Sequence, residues 1–553
     1  MSKQNLVSTA VAAAMSLVAF SAAVHADDRR EAPAPRVVPT TGAEWFAAGR
    51  AEVQSHRLAT YQPNLRRAKN VILFVGDGMG VSTVTASRIL DGQLRGVDGE
   101  YNRLSFEKFP YFALSVTASA NQQTSDSAPT ATAMVAGIKT NDGAISVDSS
   151  IVRKEYCAET TQAKSVKTIL ERAEERGMST GVVTTARVTH ATPAVNYAHV
   201  SNRDWEANNT IDNDMTAAGV TLPAGCTKVK DIAAQLLDQP YGNGPEVVLG
   251  GGRPYFEPNT KADPEYPTKK GNRTDGRDLT AEWAARPGAA YVWNKAAFDA
   301  IDPASTKKLL GLFERSHVKY EADRSTDPAG EPSLADMTRK AIQILKKNDN
   351  GFYLMVEGGR IDHAHHAGNA YRALTDTIAM AEAVKVAREL TDSEDTLIVV
   401  TADHSHTMTI AGYPSRGNPI LGKADVGLGL IGIANMAKDS LNLPYTTLGY
   451  MNGPGGYTGN GSRRELAPTP SNAGSEAYST EIPFVGKRPD LTNVDTAAPN
   501  YLQESAIPTA GAETHAGEDV GIYADGPRSY LFRGTMEQNA IYHVMGDALG
   551  FRN

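Results

Sequence analysis

The chain has 553 residues, 41% of them hydrophobic and 21% charged, with a formal net charge of −8. That size and balance describe a globular protein with room for one large α/β core carrying an insertion, or for two domains, and the acidic balance speaks against a nucleic-acid partner. Only Cys157 and Cys226 are present, too few for a cysteine-ligated metal site; in an oxidising compartment they are expected to form one disulfide, closing a loop of about 70 residues and worth ~2–4 kcal/mol.

In chain order, the first 26 residues carry Lys3, an alanine-rich apolar run from Leu6 to Val24 and the small-residue spacing Val24-His25-Ala26. This reads as a secretory signal peptide cut after Ala26, so the mature protein is expected in the periplasm or outside the cell. The apolar run is too broken for a membrane anchor, and no later stretch has the length of a span. Residues 27–41 read as a charged, proline-rich tail, expected to be flexible. A short helix is expected from Ala43 to about His56. The first strand, Val71 to Val75, enters Gly76-Asp77-Gly78-Met79-Gly80, a turn that superficially resembles a dinucleotide loop. It lacks the later glycine and places an acid where a pyrophosphate would be repelled, so a metal-facing carboxylate fits better.

A run of hydroxyls at Gln123-Thr124-Ser125-Asp126-Ser127 precedes a helix-forming stretch that reaches Met134, and Ser or Asp at such a start normally caps the helix. Lys164 to Arg176 reads as an amphipathic helix ended by Gly177. A strand at Gly181–Thr185 leads to Arg187-Val188-Thr189-His190-Ala191-Thr192-Pro193, and Glu246–Leu249 leads to three glycines. After a helix at 334–346, the buried-type strand Phe352–Val356 runs into Glu357, two glycines, Asp362, His363, His365 and His366. If a helix follows Gly359, Asp362 and His366 share one face and suit a single ion, while His363 and His365 point elsewhere. A mixed imidazole and carboxylate set favours zinc over thiolate-loving metals.

A long helix is expected within Ala367–Leu390. The strand Thr396–Thr401 then empties into Asp403-His404-Ser405-His406, and two strands ending in Asp/His clusters are hard to explain as surface decoration. The alternation of strand and helix predicts an α/β fold with a mostly parallel sheet covered on both faces. From about Ala411 to Ala512 the texture turns to glycine, proline, serine and asparagine; an irregular stretch that long is functional or a small subdomain. Glu513-Thr514-His515 follows, then a strand near Val520–Tyr523 and a helix read at Met536–Leu549.

V-G-D-G-M-G, D-S-A-x-T-A-T-A, V-E-G-G-R-I-D-H-x-H-H, T-A-D-H-S-H and E-T-H-A-G-E-D-V stand in order over nearly the whole chain. Together they resemble the metal and nucleophile motifs of the alkaline phosphatases, and among them the branch that includes the animal enzymes. The resemblance implies that family's α/β fold, with a core over 42–410 and 513–553 and a crown-like insertion at 411–512. It implies one zinc on Asp362, His366 and His515, and a second on Asp77, Asp403 and His404 with Ser127 as the nucleophile. A magnesium on Asp77, Thr192 and Glu357 is also implied; Thr192 departs from the serine of the animal branch but offers the same oxygen. Arg203 matches the phosphate-clamping arginine, and Asp126, His190 and His406 match positions near the metals. A calcium is suggested by Glu265, the Phe313 carbonyl and Glu314, with the fourth ligand open between Glu331, by counting back from Glu357, and Asp327, by residue type. A homodimer is likewise implied.

The implied chemistry is hydrolysis of small phosphomonoesters through a phosphoserine on Ser127. Such hydrolysis is slow enough uncatalysed that the site must supply on the order of 20 kcal/mol. Two zinc ions roughly 4 Å apart would clamp attacking and leaving oxygens, while Arg203 forks onto two phosphoryl oxygens. The alternatives are a phosphodiesterase of the same superfamily and a non-catalytic exported phosphate- or zinc-binding protein. A sulfatase is disfavoured, because Ser127-Ala128-Pro129-Thr130-Ala131 ends in alanine where the formylglycine segment needs arginine.

Overall fold

The computed structural model describes residues 38–60, 63–427, 435–455, 463–466, 478–482, 490–509 and 511–551. The signal-peptide reading, most of the 27–41 tail and much of the 411–512 stretch lie outside them.

A ten-stranded sheet carries the fold. Its strands are β1 (Asn70–Gly76), β2 (Tyr111–Val116), β3 (Ser179–Arg187), β4 (Val247–Gly251), β5 (Ala289–Val292), β6 (Lys308–Leu312), β7 (Phe352–Gly358), β8 (Thr396–Ala402), β9 (Val520–Asp525) and β10 (Thr535–Glu537). Their order is β10-β2-β9-β8-β1-β7-β3-β4-β6-β5. Every neighbouring pair is parallel except those of β9, which runs antiparallel between β2 and β8.

The central strands read as continuous apolar runs because both faces are covered. Val71, Leu73 and Val75 of β1 join one core with Met134, Val135, Ile169, Leu170, Ile541 and Met545 from helices on that face. Ile72 and Phe74, on the opposite pleat, join a second core with Met337, Ile342, Met380 and Val384. The mostly parallel, doubly covered sheet expected from the sequence is the one observed.

Three helices differ from expectation. Lys164–Arg176 is not one helix: Ala158–Lys164 ends, and Ile169–Glu175 begins afresh at a capping box between Thr168 and Glu171. Val166 falls in the break, its N–H donating to the Ser146 carbonyl at 2.9 Å. At the C-terminus, Met536 is in β10 opposite Ser115 of β2, and the helix starts only at Ala540. Apolar spacing alone did not separate an edge strand from the first turn of a helix. The first helix runs Gly42–Thr60, longer than read.

Within 411–512, Leu448–Gly453 pairs with Met408–Ile410 and with Ser505–Pro508 in a small sheet. Cys157 and Cys226 form the expected disulfide, 69 residues apart in sequence. No described helix is long and apolar enough to cross a membrane.

Candidate active site

Parallel register brings the acids together. Gly76 of β1 lies opposite both Gly358 of β7 and Ala402 of β8, so Asp77 and Asp403 leave adjacent strands at the same level, with Glu357, opposite Val75, two residues earlier. Open parallel sheets place their sites at these carboxyl ends. Gly78 adopts φ +68°, and a Cβ there would sit 2.3 Å from the His406 ring. The resulting tight turn lets the Gly78 N–H donate to Asp403 Oδ1 at 2.9 Å.

Ser127 opens the helix Ser127–Ala136. Its neighbour Asp126 performs the capping, accepting from the Ala128 N–H, which frees the serine hydroxyl. Ser127 Oγ lies 3.0 Å from His404 Nε2 and donates to Asp77 Oδ1 at 3.3 Å. Arg203 stands beside it, Nη1 paired with Asp126 and Nη2 2.9 Å from His190 Nε2. Burial raises the Asp126 carboxyl, but the Arg203 and His515 charges together with hydrogen bonds from the Ala128 N–H and Arg203 hold the acid below its usual range.

The helix expected after Gly359 is Arg360–His366. His366 Nε2 lies 3.3 Å from Asp362 Oδ1, and His515 Nε2 lies 3.3 Å from the same oxygen. His515 is delivered by a two-residue strand antiparallel to Ser405–His406. The other nitrogens are spoken for: His366 Nδ1 faces the Glu513 carbonyl at 2.6 Å and His515 Nδ1 the Ser125 carbonyl at 2.7 Å. A ring whose Nδ1–H donates to a carbonyl turns a lone pair outward at Nε2, and these two Nε2 atoms are only 3.1 Å apart. Neutral rings so placed repel unless a cation lies between them. His404 Nε2 completes a second group, 3.3 Å from both Asp77 Oδ1 and Asp403 Oδ2. His363 and His365 turn elsewhere, His365 to Thr83 Oγ1 and the Tyr450 hydroxyl.

A scan of the sequence against protein-family models matches alkaline phosphatase over residues 68–551. The chain is 43% identical over 493 residues to an alkaline phosphatase of Gadus morhua, covering 88% of this chain and 92% of that one. It is 42% identical over 504 residues to the tissue-nonspecific isozyme of Homo sapiens, covering 90% and 86%. The chain belongs to the alkaline phosphatase family. It is an enzyme, a phosphoric monoester hydrolase. The solved alkaline phosphatase of Thermus thermophilus shares the fold at TM-score 0.58 and 23% identity, over 94% of this chain and 96% of that one.

Within this phosphatase, the side chains can be tested for their fit to metal ions. Asp77 Oδ2, Asp403 Oδ2, Glu357 Oε1 and Thr192 Oγ1 are buried and have no hydrogen-bond partner. Buried polar atoms are otherwise nearly always satisfied, so four orphans in one place describe sockets for cations. Burial and mutual repulsion push Asp77 well above the usual carboxylate range, and burial lifts Glu357 to about 7. Asp362 is the exception: burial opposes its charge, but His366 first and then a hydrogen bond from His406 hold it well below. His406, pushed up to about 10 against its burial by Glu513 and Asp362, is set as a charged partner of Asp362 at 2.8 Å.

A third acidic group lies apart: ligand atoms of Glu265, Glu314 and Asp327 fall within 4.8 Å of one another. Both Asp327 oxygens are buried without a hydrogen-bond partner. Glu331 instead turns Oε2 to the Lys319 N–H at 2.9 Å, and the Phe313 carbonyl accepts from Arg253 at 3.1 Å. Between the two candidates for the open position, the geometry brings in Asp327.

Two side chains packed against the site escaped the sequence reading. Glu513 accepts from His406 Nδ1 at 2.6 Å and from the Thr407 N–H and hydroxyl, each at 2.7 Å, while its own N–H donates to the His366 carbonyl. It was legible in principle, two residues before His515 in the same motif. His317, against His190 and His363, sits in a stretch with no motif to announce it.

Proposed function

We propose that this phosphatase cleaves phosphomonoesters by double displacement at Ser127, with two zinc ions, one on Asp362, His366 and His515 and one on Asp77, Asp403 and His404, and a magnesium on Asp77, Thr192 and Glu357. When bound, these ions supply Lewis acidity that favours the Ser127 alkoxide and offsets charge on the phosphoryl oxygens. Ser127 Oγ forms a bond to phosphorus as the ester P–O bond breaks, and the leaving oxygen departs as the alcohol. Water then attacks the phosphoserine, releasing inorganic phosphate and restoring the hydroxyl. Arg203 binds two nonbridging oxygens through its planar fork, and Asp126 fixes the angle of that fork. Ser127 opens the helix Ser127–Ala136, whose N-terminal end favours the phosphoryl charge. Glu513 holds His406 against Asp362 and, through its backbone, His366.

The observation that carries this reading is the placement of Ser127 Oγ, 3.0 Å from His404 Nε2 and 3.3 Å from Asp77 Oδ1. Its test is Ser127→Ala, measured for p-nitrophenyl phosphate turnover, zinc content and phosphate binding. Turnover should fall about 10³-fold or more while zinc and phosphate still bind, since loss of a nucleophile spares the rest of the site. Unchanged turnover would remove the covalent route. Export after cleavage near Ala26, a homodimer, and a calcium on Glu265, Phe313 O, Glu314 and Asp327 belong to the same proposal, and rest on the resemblance and, for calcium, on the unsatisfied Asp327.

A further inference from the structure

We infer that His317 is a positioning residue for Arg203, acting through His190 and through the Arg187–Glu206 pair. The inference rests on the reading of Arg203 as the phosphate clamp. His317 is buried, with 6% of its surface exposed, and its Nε2 lies 2.7 Å from Arg187 Nη1 while the Arg187 backbone N–H faces Nδ1 at 3.2 Å. Its ring centroid is 4.0 Å from that of His363 and 5.4 Å, edge-on, from that of His190. These rings form a wall, and His190 is the member that reaches the clamp, its Nε2 2.9 Å from Arg203 Nη2.

The physical need for such a wall follows from the other partner of Arg203. Its Nη1 is already paired with Asp126, a full charge beside a neutral acceptor, and charge-assisted bonds are about twice as strong as neutral ones. Left to that pull, the guanidinium would turn toward Asp126, and its fork would lose the plane that two phosphoryl oxygens require. His190 is the counterweight, and it holds only if its ring cannot swing away; His317 occupies the space into which it would swing.

A second route converges on the same residue. Arg187, held by His317, places Nε and Nη2 on Glu206 at 2.9 and 2.8 Å, and Glu206 also accepts from Thr189. Glu206 is three residues beyond Arg203, so this pair anchors the segment that carries the arginine, while the Arg203 N–H donates to the Gly143 carbonyl at 2.8 Å. His317 thus backs Arg203 from the side-chain end and from the backbone end.

The test is a double-mutant cycle of His317→Ala and Arg203→Ala, read as the inhibition constant for inorganic phosphate and as kcat and KM for p-nitrophenyl phosphate. In the otherwise intact enzyme, His317→Ala should raise the phosphate inhibition constant and KM about tenfold, with a smaller change in kcat and unchanged zinc content. In the Arg203→Ala background the same substitution should change them less than about twofold, because coupled residues are non-additive. A merely structural role gives the same factor in both backgrounds, and that result overturns the inference, as does an unchanged inhibition constant for His317→Ala alone. If Arg203→Ala itself leaves phosphate inhibition untouched, the reading of Arg203 as the clamp fails instead. Should His317→Ala not fold, His317→Gln, which keeps an acceptor for Arg187 but removes the ring, replaces it in the cycle with the same expected sign and the same overturning outcomes.

Discussion

Two sets of buried carboxylates in this molecule have the same residue types, nearly the same burial and opposite surroundings. In the first, Arg253 and Arg273 are fully buried, and their forks satisfy the acids beside them. Asp263 receives Arg253 Nε and Nη2 at 3.1 and 3.2 Å, and Asp231 receives Arg273 Nη1 and Nη2 at 2.9 and 3.0 Å. In the second, Asp77, Glu357 and Asp403 are as deeply buried, yet each keeps an oxygen with no partner. Taking a carboxylate out of water costs several kcal/mol unless something replaces the water. The arginine-paired acids have their counterion in the chain, and Asp263 is held below the usual range despite its burial. The strand-end acids must receive theirs from outside. Burial therefore does not distinguish a strut from a metal site; several unmet acceptors gathered at one point do.

The largest effect is expected from chelation. Prolonged EDTA should lower p-nitrophenyl phosphate turnover about 10³-fold or more, and zinc with magnesium should restore it. The unfolding midpoint should fall with it, because the orphaned acids would then face one another bare. Full activity and an unchanged midpoint in metal-free protein would break the comparison outright. Next is Arg273→Met, which strands the buried Asp231 without its counterion: denaturant unfolding should show a loss of about 3–5 kcal/mol, while turnover per folded molecule stays near that of the parent. A loss of turnover larger than the loss of folded protein would show that the two sets are not separate. The acidic group at Glu265, Glu314 and Asp327 is intermediate, since Glu265 has one oxygen on Arg253 and one without a partner. Calcium at about 100 times its dissociation constant should stabilise the parent by about 2.7 kcal/mol and leave Asp327→Asn nearly unmoved, as followed by thermal unfolding.

The contrast also separates what the sequence could disclose from what it could not. The sheet was legible because fully buried parallel strands are continuous apolar runs, and Phe352–Val356 and Thr396–Thr401 are such runs ending in chemistry. Asp362 and His366 were legible because four residues make one helical turn. Where the period was ambiguous the reading failed, as at Met536, where three residues of edge strand precede a helix. The convergence of Asp77, Ser127 and His515 came from motif resemblance, since no local rule links positions so far apart in sequence. The register of β1 with β7 and β8 supplies the physical reason. The difference between Asp327 and Glu331 needed coordinates, because both keep a buried oxygen without a hydrogen-bond partner and only Asp327 gathers with Glu265 and Glu314 within 4.8 Å. His317 needed them too, since its role depends on rings brought by three separate segments.

The smallest expected effect concerns an acid that belongs to neither set. Glu174, 3% exposed, accepts from Thr180 Oγ1 at 2.6 Å and from the Asn243 N–H at 3.1 Å, so it has no orphaned oxygen and no arginine. Burial, then the nearby Glu246, raises it to about 7 from an ordinary 4.5: its answer to burial is to keep its proton. The sign follows from linkage. A carboxyl whose folded pKa is raised contributes stability that is fully present below its unfolded pKa near 4.5 and is lost as pH rises through about 7. Glu174→Gln should therefore match the parent near pH 5 and exceed it by about 1–2 kcal/mol at pH 9, where the parent must bury a charge. The amide can keep both contacts, its oxygen toward the Asn243 N–H and its NH₂ toward a Thr180 hydroxyl that rotates to accept. Urea unfolding at the two pH values reads the difference directly. Equal stabilities at pH 9 would mean that the charge of Lys308, which lies 3.4 Å from Glu246, already serves Glu174, placing this acid with the arginine-paired set.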